Sequence, residues 1–181
     1  QTAREKGLEP LAFFILEQKP LDLSATVQNF LSSEIKTFDE ALQGARDIIA
    51  EIVNEHETVR NRMRKLFEET ASLESKILSG KETEAVKYKD YFDYAEKISR
   101  VPSHRILAVL RGFMEGFLRM NIAPSEEEAL EITGEIFITS SGPLAEEIKK
   151  AIKASLRRLL QAGMESECGM ALKTKADEEA I

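Results

Sequence analysis

Residues 37–53 read TFDEALQGARDIIAEIV and predict a long amphipathic helix. Thr37, followed three residues later by Glu40, has the spacing of a capping box, which satisfies backbone N–H groups at a helix start. Apolar residues then recur with the helical period of 3.6. They are Phe38, Ala41, Leu42, Ala45, Ile48, Ile49, Ile52 and Val53. This segment therefore favours a helical fold.

Two shorter helices are predicted before this segment. Pro10 suits the first turn of a helix, where its missing N–H would have no partner, and Lys19–Pro20 ends that helix. Ser24 is a candidate cap for the second, because its hydroxyl can accept a hydrogen bond from a free N–H.

Five further helices are predicted after it. Apolar periodicity predicts helices over residues 54–77 and 81–99. Ser103, held in place by a preceding proline, is a candidate cap for the next helix, and Ser125 caps one with an acidic first turn. Pro143 begins a last helix that we expect to continue to the chain end.

The sequence therefore predicts an all-α multi-helix bundle with a long C-terminal helix and at most one short strand or hairpin. Alternating residues predict that strand at 117–122. Aromatic residues make up only 7% of the 181 residues and tryptophan is absent, which disfavours a β-sandwich or barrel.

Charge is unevenly distributed along the chain. Lys and Arg number 25 against 32 Asp and Glu, a net charge of −7 that excludes a strongly basic nucleic-acid binder. Residues 60–119, however, carry 13 basic and 9 acidic groups, whereas residues 1–59 and 120–181 are both acidic. The basic block is either an ordinary solvated helix surface or a strip that meets phosphate or an acidic partner.

Residue patterns for catalysis or metal binding are absent from the sequence. The two histidines, His56 and His104, have no second ligand at metal-binding spacing, and the lone Cys168 excludes an internal disulfide. No glycine pattern cradles phosphate, and no apolar run approaches the roughly 20 residues that span a membrane. We therefore expect a binding or scaffold module rather than an enzyme, with no cofactor and no metal.

Several motifs together resemble one family. The tyrosine-rich run YKDYFDY at 88–94 precedes ISRVPSHR at 98–105, and Arg111–Gly112 and Glu115–Gly116 follow. GLEPLA at 7–12 and GARDIIAE at 44–51 complete the set. In this order the motifs resemble the Tex family of bacterial transcription accessory proteins. Lys89 stands where that family usually has arginine, and Phe113–Met114 replaces a more polar pair.

The resemblance implies a piece of a longer protein. It implies an N-terminal helical region with helix-turn-helix character over residues 1–124. Residues 125–181 would then lead toward an RNase-H-like domain that, like the family's RNA-binding S1 domain, lies outside this chain. The parent would be a cytoplasmic protein that binds RNA or DNA and works with the transcription machinery. The absence of an initiator methionine agrees with this expectation.

Two functions follow for this segment. In the first, the basic block lies near the nucleic acid, and Lys87, Lys89, Arg105 and Arg111 contact phosphates. The structural motif beside them is Ser103, His104, Gly112 and Gly116. In the second, the segment is a protein-interaction or interdomain packing module without nucleic-acid contacts of its own. The tyrosines at 88, 91 and 94 would stack on bases in the first case and form a core face in the second.

Overall fold

A computed structural model describes residues 2–160, 173–174 and 177–178 of the chain. Seven α-helices, three strands, a 3-10 helix and a π-helical turn follow one another within these residues. In chain order they are α1 (Glu9–Glu17), α2 (Leu23–Gln28), α3 (Phe38–Glu55), α4 (Glu57–Thr70), β1 (Ser72–Ile77), the 3-10 helix (Val86–Tyr91), β2 (Asp93–Lys97), α5 (Ser103–Met114), β3 (Leu118–Ala123), α6 (Glu126–Phe137), α7 (Pro143–Ser155) and the π-helical turn (Leu156–Leu160).

A three-stranded antiparallel sheet makes the predicted all-α class wrong. The strand order is β2-β1-β3, so β1 is the central strand. Glu74 of β1 lies opposite Ala95 of β2 and opposite Asn121 of β3. The single strand predicted at 117–122 is β3, whereas β1 and β2 occupy segments that were predicted as helix.

The prediction of a helix where β1 lies has a local cause. Leu73 and Ile77 are four residues apart, a spacing that places two side chains on one face of either a helix or a strand. Ser75, midway between them, is buried, and its hydroxyl donates a hydrogen bond of 2.8 Å to the Tyr91 carbonyl. Since the buried central residue is polar, the period-two alternation is hidden in the sequence.

The predicted helix over 81–99 is replaced by the 3-10 helix and β2. Along β2, Tyr94 and Glu96 are half-buried while Asp93, Ala95 and Lys97 are exposed. This alternation has the period of a strand. Both neighbours of β1 come from later in the chain, and pairing over such separations leaves no local signal.

The chain divides into two compact units. Unit 1 contains residues 2–62 and 129–160, and unit 2 contains residues 63–128 with the described residues 173–174 and 177–178. The sheet, the 3-10 helix and α5 all belong to unit 2. The predicted boundary between residues 124 and 125 stays a prediction, as does the helix-turn-helix character.

Helix α3 is the centre of unit 1, where it packs against α1, α2 and α7. Its predicted cap is confirmed, because the Thr37 hydroxyl accepts a hydrogen bond of 3.1 Å from the Glu40 N–H. The α3 residues buried in this core are Ala41, Gly44, Ala45, Ile48, Ile49, Ala50 and Val53.

Helix ends agree with the sequence at some positions and differ at others. Pro143 begins α7 as predicted, and Pro10 lies in the first turn of α1. Helix α2, in contrast, is capped by Asp22 rather than Ser24, because the Asp22 carboxylate accepts a 3.1 Å hydrogen bond from the Ala25 N–H. The last predicted helix is described as α7 and the π-helical turn to residue 160. Its continuation and Cys168 lie outside the described residues.

Two of the family-like motifs meet in unit 1. Gly7 has a φ of +80°, which turns the chain so that Leu8 enters the core. Leu8 packs directly on Gly44 of α3, where a Cβ atom would lie 2.2 Å from Leu8 Cδ1. The glycine in GARDIIAE therefore makes room for the leucine in GLEPLA.

A largely buried ion pair joins α3 to α7. Arg46 Nη1 lies 2.5 Å from Glu147 Oε2, and the two side chains are only 16% and 9% exposed. Arg46 also donates to the Gln43 side chain at 3.1 Å, while Lys150 lies 3.4 Å from the other Glu147 oxygen. Helix α7 is thus held to α3 by charge as well as by its apolar face.

Candidate nucleic-acid interface

Packing around Gly112 organises the motif residues of unit 2. Tyr88 of the 3-10 helix is buried with Ala85 and Leu118. A Cβ atom on Gly112 of α5 would lie 2.5 Å from Leu118 Cδ1 and 3.3 Å from Tyr88 Cδ1. Only glycine lets these side chains approach α5 so closely. Gly112 therefore connects the tyrosine-rich motif to the Arg–Gly motif.

A glycine turn connects α5 to the sheet. Gly116 has a φ of +81°, a left-handed conformation that L side chains rarely adopt. The N–H of Phe117 then donates to the carbonyl of Gly112 at 3.0 Å, which directs the chain into β3. Gly112 thus permits close packing against α5, and Gly116 provides the backbone conformation of the turn.

Lys87 is held in an ion pair across the motif. Its Nζ lies 3.0 Å from Glu115 Oε2 and 5.2 Å from the centre of the Tyr88 ring. The hydrogen bond to Glu115 raises the pKa of Lys87 and lowers the pKa of Glu115. Burial raises the pKa of Tyr88. The pair links the 3-10 helix to the C-terminal end of α5.

Arg105 is held in a second cluster at the other end of α5. Arg105 Nη1 lies 3.3 Å from Glu96 Oε2, and the Tyr94 hydroxyl donates to the same carboxylate oxygen. Desolvation, followed by the hydrogen bond to Glu96, raises the pKa of Tyr94 to about 12. The cluster connects the first turn of α5 to β2.

Lys89 and Arg111 are the two candidate cations that form no ion pair within the described residues. Both side chains are exposed, Lys89 on the 3-10 helix and Arg111 on α5. After the Lys87 hydrogen bond, the charge of Arg111 is a minor cause of the lowered pKa of Glu115. Lys87 and Arg111 therefore both lie beside Glu115. Arg105, six residues before Arg111, projects from α5 about 120° away.

The predicted cap at Ser103 is wrong. Helix α5 begins at Ser103 itself, with Pro102 in the capping position and no side-chain cap. Pro102 has an extended ψ of 150°, and its carbonyl accepts hydrogen bonds from the N–H groups of Arg105 and Ile106. His104 is exposed in the first turn. The proline thus starts the helix, with Ser103 one position inside it.

The carboxylates that pair with Lys87 and Arg105 were not predicted from the sequence. Glu115 is 28 residues from Lys87, and Glu96 is nine residues from Arg105 across a change from strand to helix. Neither spacing is a helical i, i+4 pair. The only available signal was the presence of Glu115 and Glu96 inside the motif-rich stretch.

The described residues contain neither a metal-binding group nor a membrane-spanning helix. No three or more histidine, aspartate and glutamate side chains form a group there that could hold a metal ion. No helix among the described residues has an apolar stretch long enough to cross a bilayer.

The Tyr94 cluster predicts a stability change at high pH. Tyr94 titrates at 10.0 when unfolded and at about 12 when folded, so the folded chain keeps its proton longer. This contribution is complete below pH 10 and is lost as the pH rises through about 12. Urea unfolding followed across this range by circular dichroism is expected to show a shallower loss of stability for Tyr94→Phe than for the unchanged chain. Tyr91→Phe, the control on the neighbouring ring, keeps the steep loss. If stability fell equally steeply with pH in all three proteins, the Tyr94 cluster would not contribute to this pH dependence.

Comparison with known proteins gives the family. The family model described as Tex central region-like matches residues 18–181. The transcriptional accessory protein Tex of Neisseria gonorrhoeae is 33% identical over 189 residues, which cover 100% of this chain and 25% of that protein. Protein tex of Bordetella pertussis is 34% identical over 197 residues, again covering 100% of this chain and 25% of the relative. Protein YhgF of Escherichia coli is 37% identical over 124 residues, 67% of this chain and 16% of its own length.

The match extends over the whole length of the chain and includes the segments whose packing is described above. The chain spans about a quarter of the length of the curated relatives that it matches over its full length. With the model match over residues 18–181 and identities of 33% and 34% along the full chain, this chain belongs to the Tex family.

Proposed function

We propose that this chain is the scaffold segment of a Tex-type transcription accessory protein that binds RNA or DNA. Unit 2 contributes phosphate contacts through Lys89 and Arg111. This assignment rests on the exposure of both cations, which form no ion pair within the described residues, whereas Lys87 and Arg105 are paired. Phosphate can therefore approach Lys89 and Arg111 without breaking an ion pair.

The parent protein acts with the transcription machinery in the cytoplasm, and its RNase-H-like and S1 domains lie outside this chain. The names of the relatives support the transcription role. The segment itself contacts nucleic acid and serves as a scaffold. It does not catalyse a reaction and needs neither a cofactor nor a metal.

Salt-dependent binding tests the phosphate contacts. Binding of the full 181-residue chain to fluorescein-labelled single-stranded RNA and to duplex DNA is measured by anisotropy over a range of salt concentrations. We expect Lys89→Ala/Arg111→Ala to weaken binding about tenfold at low salt and to reduce the log–log salt slope by about 1 to 2, because each lost phosphate contact removes released counterions.

Lys6→Ala/Lys36→Ala is the matched control, since it removes two exposed charges from unit 1 instead. The control is expected to keep the slope of the unchanged chain. Equal effects of the two double variants would overturn the assignment to Lys89 and Arg111. Undetectable binding by the unchanged chain at low salt would overturn nucleic-acid contact by this segment altogether.

A second candidate function is favoured by the two ion pairs. Lys87–Glu115 and Arg105–Glu96 link the 3-10 helix and β2 to α5, so these two cations already have partners within the segment, as expected of a packing module without nucleic-acid contact. Loss of thermal stability in Arg105→Ala, with RNA and DNA binding unchanged in every variant, would favour this function over the first.

A further inference from the structure

An apolar groove runs along unit 1 between α6 and α7. Its volume is about 520 Å³, and its exposed lining is mainly apolar. The floor contains Leu130, Gly134 and Ile138 from the α6 side and Ile152 from α7. The residues that line the groove include neither the candidate cations of unit 2 nor Arg46 and Glu147.

The two rims of this groove carry opposite charges. Glu131 and Glu135 lie on the α6 rim, and Lys149 and Lys153 lie on the α7 rim. All four side chains are exposed. Each pair has i, i+4 spacing, so its members lie about 6 Å apart along one side of a helix. An acidic row therefore borders the apolar floor on one side and a basic row borders it on the other.

These rim charges are available to a partner. Glu131 and Lys153 form no ion pair within the described part of the chain. Glu135 lies 3.0 Å from Arg62, but both side chains are about half exposed. Exposed pairs of this kind contribute little to stability, so a partner can replace them at small cost.

The ion pair formed by Lys149 also contributes little to stability. Lys149 lies 3.1 Å from Glu146 in an exposed i, i+3 pair on α7. The same argument applies to it, because solvent already screens both charges. Both rims can thus be re-paired when the groove is occupied.

Gly134 points to an occupant. A glycine inside a helix costs about 1 kcal/mol relative to alanine, so such a residue needs a reason. A Cβ atom on Gly134 would meet only Ile138 Cδ1, at an ordinary 3.7 Å, with open space elsewhere. No neighbour within the described residues requires glycine here. Its effect is to leave the floor low, which allows a second backbone to approach α6 closely.

We propose that this groove binds one amphipathic α-helix of a partner protein. The helix places an apolar stripe on the floor, basic residues along the edge facing Glu131 and Glu135, and acidic residues along the edge facing Lys149 and Lys153. This is helix-in-groove recognition, with the floor providing affinity and the rims providing selectivity. Nucleic acid does not fit, because its phosphates would face the glutamate row.

A designed peptide tests the proposal. The probe is a fluorescein-labelled helical peptide of about 18 residues, long enough to pass both rims, with a leucine stripe between a lysine edge and a glutamate edge. Two control peptides keep the stripe and carry only lysine or only glutamate on both edges. We expect the full 181-residue chain to bind the mixed peptide at least about tenfold more tightly than either control.

Filling the groove provides the matched variants. Gly134→Phe places a ring on the floor and is expected to weaken binding of the mixed peptide at least about tenfold. Gly134→Ala adds only one methyl group and is expected to weaken it less. Thermal melting followed by circular dichroism checks that both variants remain folded. If Gly134→Phe does not fold, the peptide comparison and the graded loss with Gly134→Ala still decide.

Three results would overturn the proposal. One is equal binding of the mixed peptide by the unchanged chain and by a folded Gly134→Phe variant. Another is equal binding of all three peptides. The third is concentration-dependent dimerisation in sedimentation that Gly134→Phe abolishes, which would identify a second copy of this chain as the occupant.

Discussion

Arg46→Met is expected to lower the free energy of unfolding by about 3 kcal/mol, because it leaves the Glu147 carboxylate largely buried without its main partner. Arg46 Nη1 and Glu147 Oε2 are 2.5 Å apart, and only 9% of the Glu147 side chain is exposed. Lys150, at 3.4 Å and on the exposed side, compensates only in part. Urea unfolding followed by circular dichroism measures the change.

The double variant Arg46→Met/Glu147→Leu separates loss of the pair from the cost of an uncompensated charge. Replacing both charges with apolar side chains of similar size is often neutral, so we expect the double variant to lie within about 1 kcal/mol of the unchanged chain. The difference between the variants gives the coupling energy of the two residues. If Arg46→Met were as stable as the unchanged chain, the Glu147 carboxylate would be hydrated and charge would not hold α7 to α3.

Gly112→Ala is expected to destabilise unit 2 by about 2 kcal/mol even though alanine favours helices. Its methyl group would lie 2.5 Å from Leu118 Cδ1 and 2.9 Å from Leu118 Cγ, with the Tyr88 ring on another side. Such overpacking costs about 1 to 3 kcal/mol, which exceeds the gain in helix propensity. Tyrosine fluorescence measures unfolding of this unit, because all three tyrosines lie in it and the chain contains no tryptophan.

Gly134→Ala is the matched control for this prediction. It makes the same change inside a helix, but with open space around the new methyl group. Because Gly134 lies in unit 1, circular dichroism is followed for both variants alongside tyrosine fluorescence. We expect it to be neutral or to stabilise the chain by up to about 1 kcal/mol, so the two substitutions differ by roughly 3 kcal/mol. Equal effects would mean that Leu118 and Tyr88 move aside at no cost and that Gly112 is not needed for close packing.

Much of unit 1 could be predicted from local patterns. The Thr37 cap, the apolar face of α3 and the Pro143 start of α7 each depend on residues within a few positions of one another. The pairing of Leu8 with Gly44 could not be predicted, although both motifs were recognised. A motif identifies residue types in a fixed order, whereas the contact between two motifs is made only when the helices pack.

Phosphate contact at the candidate interface stays a prediction. Lys87, Lys89, Arg105 and Arg111 were selected from charge and motif, and all four are exposed. The difference between paired and unpaired cations was beyond the sequence, because Glu115 and Glu96 reach Lys87 and Arg105 through the fold. Fewer of these cations are unpaired within the described residues than the net charge of residues 60–119 implies.

The sequence by itself determined the family and most helices of unit 1, because motifs, caps and periodicity are local properties. The tertiary structure decided the sheet, since β1 obtains its strand form from partners far along the chain and hides its alternation behind the buried Ser75. It also decided which charges are paired. Both outcomes depend on long-range contacts, in which residues distant in the chain replace water as each other's neighbours.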